Sequence, residues 1–236
     1  GLGCKGFIRT RLKASGKTAH GSLPFMGENA IHKLIASIKH VKKIEELPLD
    51  VPWELEPVIE SSIKSLLEGS ALTKSQIASL KRLFHYPTAS LNLMSGGVKE
   101  NMVPDKAEAT FDIRITPGVD IKKVEDYVRK LIENSHKGIK VETECQDGYY
   151  EKPSSEFVDQ LKRTVKIATG AVPALKIETG GTDGMFVKQI TGIPCLGFGA
   201  GLRGMAHTPD EYITTKNLVM AAKVYCIFPI VWQTRN

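Results

Sequence analysis

Residues 107–115 read AEATFDIRI, and their strict alternation decides the fold. Ala107, Ala109, Phe111, Ile113 and Ile115 share one face, while Glu108, Thr110, Asp112 and Arg114 share the other. A period of two with one apolar face predicts a half-buried strand. Working outward, residues 6–15 (GFIRTRLKAS) repeat the pattern, with Ile8, Leu12 and Ala14 inward and Arg9, Arg11 and Lys13 outward. Residues 88–94 (TASLNLM) and 139–145 predict two further strands. Between the strands the period lengthens to that of a helix. Ile31, Leu34, Ile35, Ile38, Val41 and Ile44 form one stripe, stopped by Pro48. Ile121, Val124, Val128, Leu131 and Ile132 form another, opened by Asp120. Residues 48–87 predict an insertion of two shorter helices, the first closed by Gly69 and the second opened by the capping-box pair Thr73 and Gln76. The order strand–helix–insertion–strand–strand–helix–strand is a ferredoxin-like split motif, an antiparallel sheet with helices on one face.

After Asp147-Gly148 the grammar becomes that of an α/β domain. A helix is predicted over 155–169, ended by Gly170, followed by a short strand at 174–178 (ALKIE). The turn Thr179-Gly180-Gly181-Thr182-Asp183 opens a helix through Met185, Phe186, Val187 and Ile190. Residues 193–198 (IPCLGF) read as a fully buried parallel strand. A glycine-rich loop from Gly199 to Asp210 then leads to a last helix with Leu218, Ala221, Ala222, Tyr225 and Phe228 inward. Two strands cannot bury three helices, so this half is expected to be a piece of a larger sheet.

The chain has 236 residues, 42% hydrophobic and 25% charged, within the range of a folded globular protein. No apolar run approaches the roughly 20 residues of a membrane span, and no signal-peptide layout opens the sequence. The net charge of +6 raises the question of nucleic acid. The basic residues are dispersed among acids with no aromatic-flanked strip, so a solvated surface is the expectation. Cys4, Cys145, Cys195 and Cys226 are scattered without a C-x-x-C pair, which predicts reduced thiols and a cytoplasmic protein.

Several residues have a chemical and a structural reading side by side. His207, in Gly204-Met-Ala-His-Thr-Pro-Asp-Glu-Tyr after the predicted strand, suits a zinc ligand or a locally bonded loop histidine. The Gly180-Gly181-Thr182 turn aims backbone N–H groups where a carboxylate would bind, or is a tight turn that needs glycine. His20, between a strand and a helix, suits a donor to a developing oxyanion or an ordinary exposed histidine. Asn101 suits a substrate contact or an Asx turn. Arg114 suits a carboxylate fork or a partner for Asp112.

Taken in order, these pieces resemble the zinc-dependent aminoacylase, carboxypeptidase G and desuccinylase amidohydrolases. The matching stretches are Gly16-Lys-Thr-Ala-His-Gly-Ser-Leu-Pro with Gly27-Glu-Asn-Ala, Leu91 to Asp105 with Phe111-Asp-Ile-Arg, Thr179-Gly-Gly-Thr-Asp, and Gly199 to Tyr212. The resemblance implies a ferredoxin-like lid, or dimerisation, domain over 5–147, carrying the 48–87 insertion, then the C-terminal part of an α/β zinc-hydrolase domain over 148–236. It implies hydrolysis of an amide bond in an N-acyl amino acid or small peptide. Two zinc ions per complete site would polarise the carbonyl and activate water. It assigns His207 to zinc and His20 to the oxyanion of the partner subunit's site, with a homodimer formed through the lid. Asn101, Arg114, Gly180, Gly181 and Thr182 would hold the substrate. The resemblance places the family's H-x-D pair, bridging aspartate and metal-binding Glu-Glu pair in an N-terminal portion ahead of the lid, which this sequence does not hold, so the chain alone is expected to be inactive and to supply one clear metal ligand. The competing expectation is a non-enzymatic dimerising module. Nucleic-acid and membrane partners are not expected.

Overall fold

The computed structural model describes residues 1–133, 135, 138–202, 204–206 and 208–234. The strands are β1 (Gly3–Cys4), β2 (Gly6–Ser15), β3 (Thr88–Gly96), β4 (Lys106–Ile115), β5 (Ile139–Gln146), β6 (Tyr149–Tyr150) and β7 (Ile177–Glu178). The α-helices are α1 (Ala30–Val41), α2 (Glu56–Leu67), α3 (Lys74–Arg82), α4 (Ile121–Glu133), α5 (Glu156–Thr169), α6 (Gly184–Thr191) and α7 (Thr215–Gln233).

The first sheet is antiparallel in the order β3-β4-β2-β5. Its register places Ile8 opposite Ile113 and Leu12 opposite Ala109, so the inward residues of the two central strands meet on one face. That face carries α1 and α4, and Leu34, Val41, Val124, Val128 and Ile132 bury against Ile8, Leu12, Phe111 and Ile113. The other face is open and laced with ion pairs: Arg9 with Glu144 at 2.6 Å, Lys13 with Glu142 at 2.7 Å and Arg114 with Asp112 at 2.8 Å. Asn29 accepts the His32 N–H to start α1, and Asp120 accepts the Lys122 N–H to start α4. The Thr73–Gln76 capping box forms as the sequence predicts. α4 is stapled to the edge strand β5 through Glu125. Its carboxyl is held down to about 2, chiefly by the Thr143 hydroxyl and then by Arg129 and Lys122.

The second sheet has three two-residue strands in the order β6-β1-β7, with β1 parallel to β7 and antiparallel to β6. It therefore differs from the two parallel strands read from sequence, because the first residues of the chain enter it. Residues 193–198 are not the buried strand the sequence predicts. Ile193 is 52% exposed, and only Gly197 pairs, its N–H donating to the Gly1 carbonyl at 2.8 Å. An apolar run marks low polarity, not the presence of a neighbour to cover it. The inner stripe of α7 also differs: Ala221, Val224 and Val231 are buried, while Leu218 and Tyr225 are exposed. This helix is apolar on nearly every side, so its sequence does not mark a face. Its packing against α5 chooses one, with Phe157 set edge-on to Phe228 and Trp232 at 5.5 Å each.

The two sheets are linked where the chain crosses at Lys5 and returns at Asp147-Gly148. The crossings touch backbone to backbone: a Cβ on Gly6 would lie 2.4 Å from the Gly148 nitrogen, and one on Gly148 would lie 2.5 Å from the Cys4 carbonyl oxygen. The helical insertion supplies a third link. Leu55, Val58, Ile59 and Phe84 pack with Leu2, Val158 and Ile177 in a core distinct from that of the first sheet. Lys5 Nζ, fully buried, donates to the Leu83 carbonyl at 2.5 Å and lies 5.3 Å from the centre of the Phe84 ring. The Thr116 hydroxyl donates to the Phe84 carbonyl at 2.6 Å, and the Tyr150 hydroxyl to Glu54 at 2.8 Å.

Burial, reinforced by the Arg114 charge, lowers the Lys5 ammonium to about 7. The unfolded chain keeps this proton up to about 10.4. Between those values the unfolded state binds more protons, so stability rises with pH there, and below about 7 the full cost of a buried charge is present. The expected gain between about pH 6 and pH 9.5 is on the order of 3 kcal/mol, and Lys5→Met flattens it. Denaturant melts of both proteins at the two pH values check this, and equal slopes would contradict it.

Candidate functional site

The sequence-predicted residues gather in two places. His20 and Asn101 meet beyond one end of the first sheet. His20 forms an isolated β-bridge with Met102. The Gly21 N–H donates to the Asn101 carbonyl at 2.7 Å, and the Val103 N–H to the Ala19 carbonyl at 2.9 Å. Two loops are thereby zipped together, and both His20 and Asn101 remain exposed. Beside them a cleft of about 560 Å³ is bordered by Gly21, Pro24, Gly97, Lys99, Glu100 and Met102. The imidazole Nδ1 of His20 lies 2.7 Å from Ser22 Oγ and accepts the Ser22 N–H at 3.2 Å. Ser22 was not singled out from sequence, although a hydroxyl two residues after a loop histidine was the available signal.

Arg114 lies at the far end of β4. At roughly 3.3 Å per residue, the eight steps from Lys106 separate it from the His20 loop by roughly 25 Å. Its guanidinium donates to Asp112 and stands 5.6 Å from the centre of the Phe7 ring. The Asp112 pairing is the structural alternative raised above. It holds the guanidinium on the open face with its side chain 31% exposed. Phe7 packs against Cys4, Tyr149 and Met185, and Met185 underlies the Gly180-Gly181-Thr182 turn. A Cβ on Gly181 would sit 2.9 Å from the Met185 methyl. The Thr182 hydroxyl is buried without a well-directed hydrogen bond, and the Tyr149 side chain lies against it. Burial pushes the Tyr149 hydroxyl above its ordinary range. Arg114 and the turn thus share one neighbourhood, joined through Phe7, Tyr149 and Met185, which the sequence did not point to because they lie in three separate segments.

His207 lies outside the described residues. Among the described residues, no group of three or more His, Cys, Asp and Glu side chains is placed to hold a metal ion, so no catalytic step is assigned to a metal within them. All four cysteines are free, and burial, with the Glu125 carboxylate beside it, lifts the Cys145 thiol to about 11. No helix among the described residues is long and apolar enough to cross a membrane.

A family model described as the peptidase dimerisation domain matches residues 2–140. The chain belongs to that family. Along its length it is similar to a probable succinyl-diaminopimelate desuccinylase of Staphylococcus aureus, 27% identical over 94% of this chain and 56% of the relative. It is also similar to a probable carboxypeptidase of Aspergillus clavatus, 25% identical over 94% of this chain and 46% of the relative. The fold matches that of an M20 family metallo-carboxypeptidase from Sulfolobus solfataricus with a TM-score of 0.76 at 21% identity, covering 98% of this chain and 59% of that one. A tripeptidase from Staphylococcus aureus matches with a TM-score of 0.69 at 20% identity, over 99% of this chain and 53% of that one. The chain spans about half the length of the curated relatives it matches.

The turn opens α6 at Gly184, where a Cβ would lie 2.2 Å from the Tyr149 hydroxyl oxygen. Gly184→Ala is expected to cost about 1–3 kcal/mol of stability. Tyr149→Phe, which removes that oxygen but leaves the ring carbon 2.8 Å from the added Cβ, is expected to recover part of the loss in the double variant. A double-mutant cycle by thermal melting checks the coupling, and additive losses would contradict it.

Proposed function

We propose that this chain is the dimerisation lid, residues 5–147, and a C-terminal catalytic portion, residues 148–236, of a zinc-dependent amidohydrolase. It would cleave an amide bond of an N-acyl amino acid or small peptide in the cytoplasm as a lid-mediated homodimer. The observation that carries this reading is the division of the candidate residues between two places. His20 and Asn101 lie at one end of the sheet, and Arg114 with the Gly180–Thr182 turn lies at the other. A separation of roughly 25 Å is too long for one small substrate to touch both sets. In the proposed lid-mediated dimer, the two-fold axis would bring one copy's His20 loop to the other's Arg114.

In that arrangement Arg114 and the amides of the turn grip the substrate carboxylate, a match of charge and fork geometry. Asn101 joins the hold on that carboxylate from the partner side. His20 donates a hydrogen bond to the oxygen on which negative charge develops. His207 is assigned one zinc contact, and the remaining ligands are assigned to polypeptide corresponding to the other half of the relatives. Support for such a completing segment comes from the apolar surface left open on α6 and α7, where Phe186, Ile190, Leu218 and Ile230 are exposed. Support for a dimer comes from β3, an edge strand that leaves Leu91, Leu93 and Met94 exposed beside an unpaired backbone edge. Pairing of the basic side chains on the open sheet face with Glu142, Glu144 and Asp112 favours a small-molecule partner over nucleic acid.

The test uses this chain assembled with the segment corresponding to the remainder of its relatives. His20→Ala is expected to lower turnover about 100-fold with bound zinc unchanged, whereas His207→Ala is expected to lose zinc. Turnover of N-acetyl and N-succinyl amino acids together with metal analysis reads both. Zinc loss in His20→Ala equal to that in His207→Ala would overturn the oxyanion role. A completed protein that neither binds zinc nor hydrolyses any such amide would favour the non-enzymatic module.

A further inference from the structure

The loop that presents His20 is fixed on both sides by backbone. Gly21 donates to Asn101, Val103 donates to Ala19, and the Leu23 N–H donates to the His20 carbonyl at 2.9 Å. These bonds place the His20 Cα but leave an exposed ring free to turn about its side-chain torsions. Ser22 removes that freedom. Its Oγ lies 2.7 Å from Nδ1, and its own backbone N–H donates to the same atom at 3.2 Å.

The backbone amide sets the direction of the protonation pattern, and the hydroxyl, the closer of the two donors, supplies most of the hold. An amide nitrogen can only donate, so while this bond is made Nδ1 presents its lone pair and carries no hydrogen, and without the hydroxyl the long amide contact alone holds it weakly. A proton on Nδ1 would point at the Ser22 N–H, donor against donor. The hydroxyl, facing an atom already committed as an acceptor, donates as well. A neutral imidazole has one N–H, and with Nδ1 bare it lies on Nε2. This assignment follows from the hydrogen-bond network. Nε2 is the ring nitrogen farther from the loop backbone, so the N–H is directed away from the segment that holds it.

We propose that Ser22 is a positioning residue for His20, clamping Nδ1 as a bare acceptor so that the ring keeps one tautomer and one orientation with Nε2–H directed outward. The inference rests on the reading of His20 as a donor to the partner's site, and it names the residue that prepares that donor. A ring already holding its proton on the outward nitrogen need not reorganise when charge appears on the substrate oxygen. Asn29 and Thr73 use local side-chain bonds to cap helices, whereas Ser22 directs its hydroxyl at another side chain.

The clamp is testable on this chain as it stands, by nitrogen NMR of the labelled imidazoles at a pH where the rings are neutral. The expected spectrum has His20 Nδ1 in the unprotonated range and Nε2 in the protonated range. Ser22→Ala should move the two signals toward each other, as in a ring that exchanges tautomers with solvent. Ser22→Thr should keep them apart. Unchanged amide spectra elsewhere show that the fold is intact. A protonated Nδ1 in the unsubstituted chain, or a Ser22→Ala spectrum identical to it, would overturn the proposal. In the assembled enzyme Ser22→Ala is expected to lower kcat on the order of 10-fold, with KM little changed and recovery in Ser22→Thr. If the NMR signature holds while His20→Ala leaves turnover intact, the clamp stands and the oxyanion role of His20 fails.

Discussion

The molecule depends on one crossing. At Lys5 the chain leaves a three-stranded sheet for a four-stranded one, and at Asp147-Gly148 it returns, with the Gly6 and Gly148 backbones in contact. No side chain fits between the crossings, so their approach is set by glycine. The buried lysine beside them, bonded to Leu83 and lying against Phe84, recruits the end of the helical insertion into the same junction. Burying an ammonium without a carboxylate partner is costly, and the cost falls where the two parts of the chain meet. The consequence for function is positional. Phe7, two residues beyond Lys5, carries Arg114 on one side and packs with Cys4, Tyr149 and Met185 on the other. The crossing therefore fixes Arg114 relative to the Gly180–Thr182 turn.

The four-stranded sheet does the opposite for His20 and Asn101. Its strands are rigid rods with a paired register along ten residues of β2 and β4. They carry the His20 loop as far from Arg114 as the sheet is long. Local bonds then zip the His20 and Asn101 loops together. Each half of the candidate site is thus built by a different part of the fold, and the sheet sets the distance between them.

The first sheet was legible in the sequence because its signals are local. Alternation in 6–15 and 107–115, helical stripes at 31–44 and 121–132, the Asp120 cap and the Thr73–Gln76 box each depend on neighbours a few residues away. The second sheet was less legible because its strands are two residues long and are recruited from positions 3–4, 149–150 and 177–178. No periodicity can show in a pair of residues. The run at 193–198 was apolar enough to read as a buried strand, but its burial depends on a covering element that the sequence does not reveal. At the candidate site, the individual residues were visible as motif members. Their grouping was not, since Arg114 joins the turn through Phe7, Tyr149 and Met185, contacts made across more than a hundred positions.

The central claim is that a working site takes His20 from one copy and Arg114 from another. Subunit mixing in the assembled enzyme tests it most directly. His20→Ala and Arg114→Met variants, each nearly inactive alone, are dissociated together and reassociated, and mixed dimers are counted by native mass spectrometry. In a mixed dimer one shared site inherits both defects and the other inherits neither, so random mixing should restore about a quarter of the unsubstituted activity. A mixture rich in mixed dimers but as inactive as its parents would show that both residues serve the same copy's site, and the account would fall.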